Sequence, residues 1–312
     1  MTDAATPPAA ATPAPARTRP FYWSVRRELW EHRVYLAPAI VGAIALVGFL
    51  LGLHGLPDTV QAVAHAPNPA THADVARQRG QLFVMLAPFG FGAGAVLLTA
   101  LIVGIFYSLG SLHNERRDRS VLFWKSLPVS DRTTVLSKAF IPLAVLPVVV
   151  LAVVVTVLAI MVGLASVVLT SSGVAPETLL SRLPTFGAMT LGVAYALVIL
   201  SLWYAPIVGW LMLVSVWARR MTFLWAVAPP FGLCLLEMLA LRTVHVWNFL
   251  HERLIGGFAA YTVGGLGKAP LHDLSQIDVT PFLTDPGFWG GLVFAAVAFE
   301  ACVRLRRRRE PI

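Results

Sequence analysis

Residues Glu115–Lys138, ERRDRSVLFWKSLPVSDRTTVLSK, decide how this chain reads. Glu115, Arg116, Arg117, Asp118, Arg119, Lys125, Asp131, Arg132 and Lys138 crowd into this stretch, while the flanks carry no charge for roughly 30 residues each way. Such a segment cannot sit in a lipid core, where each Arg or Lys costs about 2.5–3.5 kcal/mol on insertion scales. It is therefore read as a water-facing loop between two membrane spans, and its positive excess predicts the cytoplasmic side. From Ser111 to Trp124 there is no Pro or Gly, so the preceding helix is expected to continue out of the membrane. Pro128 then disfavours helix at Leu127. Ser130 or Asp131 is placed to cap a new helix running through Lys138. Val121, Leu122, Phe123, Trp124 and Leu127 stand apolar among the charges, which suits either headgroup contact or docking of a cytoplasmic partner.

Composition sets the class. Apolar residues make up 57% of the 312 and charged residues 13%, against about 45–50% and about 25% in soluble domains. The expectation is an all-α polytopic membrane protein. A net charge of +8 is unevenly placed and argues against a nucleic-acid partner. Cys234 and Cys302 both lie in apolar runs and suggest neither a disulfide framework nor a metal cluster. Residues 1–20, rich in Ala, Pro and Thr, predict a disordered tail without a signal-peptide core. Phe21–Arg33, FYWSVRRELWEHR, reads as an interfacial amphipathic helix, with Phe21, Tyr22, Trp23 and Trp30 at the headgroups and Arg26, Arg27 and Arg33 meeting anionic lipid.

Six spans follow, at about 36–53, 82–109, 139–168, 186–217, 221–241 and 287–303, since about 20 apolar residues cross a bilayer core. The third and fourth exceed that need, so tilt or protrusion is expected. With both termini inside, the cytoplasm holds Arg17, Arg19, Arg26, Arg27 and Arg33, six cations of the polar loop, Arg219, Arg220, Arg304 and Arg306–Arg309. The other side keeps Arg77, Arg79, Arg182, Arg242, Arg253 and Lys268, so 18 of 24 Lys and Arg fall inside, as the positive-inside rule requires. The expected outer segments are about His54–Gly80, about Thr170–Thr185 and a long loop over 242–286. Within the last, Val246, Phe249, Leu250 and Leu254 recur at helical spacing, predicting a re-entrant or surface helix.

Chemical motifs are few. No GxxxxGK[ST] phosphate loop is present, and Gly267–Lys268 is followed by Ala269, so nucleotide energy would have to come from another polypeptide. His54, His65, His72, His245, His251 and His272 fall outside but at irregular spacings, which does not make a metal site. Glu237 is the one carboxylate well inside a span, a functional candidate by default; lacking a second acid at that depth, it is read as structural, pairing with Arg242 or facing a polar cavity. Glu300 stands four residues before Arg304, the favourable order for a helical ion pair. Pro88, Pro147, Pro206 and Pro229-Pro230 interrupt spans, tolerated where neighbours satisfy freed carbonyls, and Gly90 with Gly94 offers a close-packing face. No GxSxG, HExxH or paired intramembrane aspartate points to an enzyme.

Glu115-Arg116 after a long span, Leu127-Pro128-Val129-Ser130, and Lys138 opening the next span resemble membrane subunits of type-2 ABC exporters. There an E-R pair begins the loop, "LPVSR" follows and a Lys starts the third helix. Here Asp131 replaces the final Arg, and Arg132 comes one place later. Arg27-Glu28-Leu29-Trp30 is likewise similar to the family's opening amphipathic helix, so Arg26, Arg27, Glu28 and Trp30 enter as candidates. The likeness covers about 21–308. It implies a permease joined to two copies of an ABC ATP-binding subunit and to a second permease, identical or paralogous, in a bacterial inner membrane. Residues 110–138 would form the coupling loop docking the ATPase, through Glu115, Arg116, Arg117, Asp118, Leu127, Pro128, Val129, Ser130 and Lys138. This chain would hold no cofactor, ATP and Mg being bound by the partner. A secondary transporter, which needs intramembrane charges in matched repeats, and a membrane scaffold lacking an ATPase partner are the alternatives.

Overall fold

The computed structural model describes residues 19–64, 72–118, 129–173, 177, 181, 183–256 and 283–308. The expectations for the N-terminal tail, for Leu127-Pro128 and for residues 257–282 lie outside them. Every described element is helical: α1 (Pro20–Glu31), α2 (Ala37–Gly52), α3 (Leu56–Ala64), α4 (His72–Gly110), α5 (His113–Arg117), α6 (Asp131–Phe140), α7 (Leu146–Ser171), α8 (Leu183–Trp217), α9 (Thr222–Leu241), α10 (His245–His251) and α11 (Pro286–Arg308). Wider π-helical turns occupy Ile141–Val145 and Glu252–Gly256.

Six helical stretches are long and apolar enough to cross a membrane: Arg33–Val63, Phe83–Arg117, Asp131–Ser171, Thr190–Trp217, Thr222–Leu241 and Pro286–Arg308. These are the marks of a multi-pass membrane protein. Most outrun the expected boundaries. In the first, the helical path continues through α3, a stretch expected to be loop, because Leu56 and Val60 are buried in a cluster with Phe49, Met85 and Phe89. This burial repays the ordering of a segment that hydropathy alone leaves ambiguous.

Three apolar layers stack along the bundle. Phe49, Phe89, Met161 and Leu169 fill one end. Val96, Ala100, Val150, Val154 and Leu197 fill the middle. Leu112, Val135, Met212, Val216 and Cys302 fill the end near α5 and α6. By contrast Val148, Phe91, Leu236 and Val297 are exposed, the inside-out distribution expected where the surrounding solvent is lipid.

Close approach does not occur where the Gly90–Gly94 spacing predicts it. A Cβ at either glycine would meet nothing within 4 Å. It occurs at Gly209, where a Cβ would lie 3.1 Å from Ala298 Cβ, and at Gly42, where it would lie 2.8 Å from Val153. A small-xxx-small spacing marks a face only if a neighbouring helix lies on that face. Helices α4, α8 and α9 run on through Pro88, Pro206 and Pro229-Pro230. Pro142 lies within the Ile141–Val145 π turn, and Pro147 opens α7. The wider ring is one way the missing N–H of proline is absorbed.

Candidate functional site

The residues that bracket the polar loop converge in a buried ion cluster. Lys138 leaves α6 on its inward face and is 1% exposed. Its Nζ lies 2.9 Å from Glu28 Oε1 on α1 and 3.2 Å from Glu115 Oε1 on α5. Arg27 Nη2 approaches the same two carboxylates, at 2.7 Å and 3.5 Å. The second Glu115 oxygen accepts from Arg306 Nη2 at 3.2 Å, and Arg306 Nη1 reaches Asp131 Oδ1 at 3.1 Å. Arg307 adds a contact to Asp131 at 3.5 Å from the rim. Three carboxylates thus face four cations, drawn from α1, α5, α6 and α11. Buried charges persist only when paired and hydrogen-bonded, and here each compensates another.

The second oxygen of Glu28 is satisfied by the Tyr107 hydroxyl, which donates at 3.0 Å, with His32 Nδ1 at 3.6 Å. Burial alone would raise the Glu28 carboxyl. The Lys138 charge and the hydrogen bonds from Arg27 and Lys138 outweigh that effect and lower its pKa to about 2. Glu28 is therefore a fixed anion around which the cluster assembles.

The start of the loop is fastened separately. Ser215 Oγ, fully buried near the end of α8, accepts the backbone N–H groups of Leu112 at 3.1 Å and His113 at 2.9 Å. Arg116 donates through Nη1 to Val216 O, and His113 Nδ1 lies 3.2 Å from Ala218 O. These contacts correct the expectation of one continuous helix across Ser111: α4 stops at Gly110, and the chain turns over Ser111 and Leu112 before α5. The break follows from an offered acceptor, since Ser215 takes N–H groups that would otherwise bond within a helix. On the other side of the loop, Ser130 caps α6, its Oγ accepting from Thr133 N at 3.1 Å.

Glu115, Arg116 and Lys138 are accordingly buried and hold the loop's base. Arg117, Asp118 and Ser130 are exposed, and Val129 is half-buried. In α1, Glu28 and Arg27 belong to the cluster, while Trp23 and Trp30 face outward with the Arg26 guanidinium stacked on both rings, 5.2 and 4.8 Å from their centroids. Tyr107, Ser215 and Arg306 are not marked by the motifs, and Asp131 enters only as a possible cap and as a departure from the motif. Asp131 and Arg306 carried a signal only in hindsight of pairing: a lone acid opening a helix, and one Arg of a run read as a topology signal.

Glu237 has a different role. Its carboxylate accepts from Thr243 Oγ1 at 2.7 Å, His245 N at 2.8 Å and Val246 N at 2.7 Å. It therefore caps the N-terminus of α10 across a turn in which Arg242 is left-handed, with φ of 51°. These groups, rather than Arg242, hold it. Glu300 pairs with Arg304 at 3.2 Å as its spacing predicts, and with Arg132 of α6 at 3.4 Å. Among the described residues no group of three or more His, Cys, Asp or Glu could hold a metal.

No protein-family model, no curated protein and no solved structure matches this chain.

Proposed function

We propose that this chain is the membrane-spanning permease subunit of an ABC transporter of the type-2 exporter class, moving a substrate across or out of a membrane with ATP hydrolysed by a separate chain. The observation that carries this reading is the closure of the polar loop's two ends on one another through Glu115 and Lys138, 3.2 Å apart. A clamped base passes force received by the loop on to the helices it joins. The clamp also engages α1, the start of the third span and the last helix, so displacement of the loop moves three parts of the bundle together. Those are the properties a docking element needs if an ATPase is to act on membrane helices. The motif residues Glu115, Arg116 and Lys138 supply the base, and Arg117, Asp118, Val129 and Ser130, with the segment between them, supply the contact.

The orientation follows from charge. The cluster end carries Arg219, Arg220, Arg304, Arg307 and Arg308 exposed, the excess expected of a cytoplasmic face, and on this reading both termini are cytoplasmic. Helix α1 then lies at the interface, with Tyr22, Trp23 and Trp30 56%, 58% and 70% exposed, presenting rings to the headgroups. A bacterial inner membrane and a second permease copy complete the proposal. A photo-crosslinker placed at Asp118 tests it: the expected product joins this chain to a polypeptide bearing a GxxxxGK[ST] phosphate loop. Crosslinking to lipid alone would refute the docking role.

A further inference from the structure

The turn that joins α8 to α9 carries two charges outside the ion cluster. Trp217 ends one span and Thr222 opens the next, which leaves Ala218, Arg219, Arg220 and Met221 between them. A chain going out and back over four residues rises at most about 7–9 Å. The headgroup layer is about 5–8 Å deep, so the turn is held at the level of the lipid phosphates. Met221 closes it with a left-handed backbone, φ of 51°, and is itself exposed. Ala218 anchors the other side: its N–H donates to Val214 O at 2.8 Å, and its carbonyl lies 3.2 Å from His113 Nδ1 of α5.

Arg219 and Arg220 are both exposed, and neither makes an ion pair or a side-chain hydrogen bond among the described residues. The acids of α5, the helix fastened to this turn, are engaged elsewhere: Asp118 with Arg117 at 3.1 Å, and Glu115 within the ion cluster. The stretches outside the described residues that adjoin this end, 1–18, 119–128 and 309–312, carry Asp3 and Glu310 against Arg17, Arg119, Lys125 and Arg309, so they add no net negative charge. Two indoles flank the arginines. Trp217 and Trp225, both exposed, meet edge to face with centroids 4.7 Å apart. Trp210 Nε1 donates to Ala226 O at 3.0 Å and sets the start of α9 against α8. Tryptophan collects at the membrane–water boundary, the same depth that the length of the turn gives.

We propose that the Ala218–Met221 turn binds the phosphate of an anionic glycerophospholipid, with Arg219 and Arg220 as donors and the Trp217–Trp225 pair beside the lipid's glycerol region. A guanidinium matches phosphate oxygens two at a time, and two uncancelled charges favour a headgroup of net negative charge over a zwitterionic one. A turn this short presents little surface beyond the headgroups to a soluble protein, which selects lipid as the occupant. The inference rests on the membrane placement of α8 and α9 and not on the permease reading, so each can fail without the other.

The test uses the full chain in phosphatidylcholine nanodiscs with increasing phosphatidylglycerol, read by amide exchange over 219–224. In the parent, phosphatidylglycerol is expected to slow this exchange in a saturable way. Each arginine at an anionic surface is worth about a fivefold preference, so Arg219→Gln/Arg220→Gln should raise the half-saturating lipid fraction at least tenfold. Each single variant should raise it about fivefold, which keeps the test open if the double variant fails to insert. Arg242→Gln removes an exposed cation at the other end of α9 and should match the parent. Exchange indifferent to phosphatidylglycerol in the parent, or a shift in Arg242→Gln as large as in the double variant, would overturn the site. So would equal slowing by inorganic phosphate in pure phosphatidylcholine discs, which would make the ligand a soluble anion. Slowing that appears only in discs holding two copies, or only with a co-purified polypeptide, would assign the turn to a protein contact instead.

Discussion

Lys138 Nζ lies 2.9 Å from Glu28 Oε1 across 110 residues of chain, both side chains all but inaccessible. No other described contact joins the opening helix to the third span through charges so deeply buried. Removing either partner leaves the buried cluster with one charge short of a counter-charge. Lys138→Met or Glu28→Leu is expected to lose about 3–5 kcal/mol of stability, read as a lowered Tm in detergent. The double variant, with no orphan charge at this pair, should recover a large part of that loss. Equal destabilisation by the single and double variants would show that the pair is not energetically coupled.

The same carboxylate sets a pH dependence. Glu28 has its folded pKa pulled from 4.5 to about 2, so the unfolded chain binds more protons between those values. Its contribution to stability is complete above about pH 5 and is lost as pH falls from 4.5 through 2. Tm measured from pH 6 to pH 3 should fall less steeply in Glu28→Gln than in the parent. Parallel curves would place the acid sensitivity elsewhere.

Glu237 is expected to act locally. Glu237→Ala removes an acceptor of three hydrogen bonds, a capping loss of about 1–2 kcal/mol. Amide exchange at His245 and Val246 should accelerate while residues 131–140, around the ion cluster, keep their protection. Acceleration at both ends would mean the two are coupled.

Packing gives a contrast between glycines. Gly209→Val drives a branched side chain into Ala298 and should cost about 1–3 kcal/mol through overpacking. Gly90→Ala and Gly94→Ala meet open space and should leave Tm unchanged within the error of a melt.

These comparisons show what hydropathy and motif could and could not disclose. Six spans and a cap at Ser130 or Asp131 were readable because each depends on residues within one turn or one bilayer thickness, and the structure selects Ser130. The ends of the spans were not, since α3 is helical through burial of Leu56 and Val60 against distant Phe89 and Met85. Glu115 and Lys138 were marked by pattern, but pattern assigns importance without direction, and both point inward. Arg306 could not be singled out among Arg304 and Arg306–Arg309, because only the phase of α11 against α6 selects the one that meets Asp131. Gly90 and Gly94 had the spacing of a packing face and lacked the neighbour.

The most direct measurement is co-purification from the native host's membranes, comparing the intact chain with one whose residues 119–128 are a Gly/Ser linker. The Glu28–Glu115–Lys138–Arg306 cluster is untouched in both, so the fold is held constant. The expected result is a phosphate-loop ATPase, identified by mass spectrometry and by MgATP hydrolysis, with the intact chain only. An intact, folded chain that brings down no phosphate-loop protein would contradict the proposed coupling.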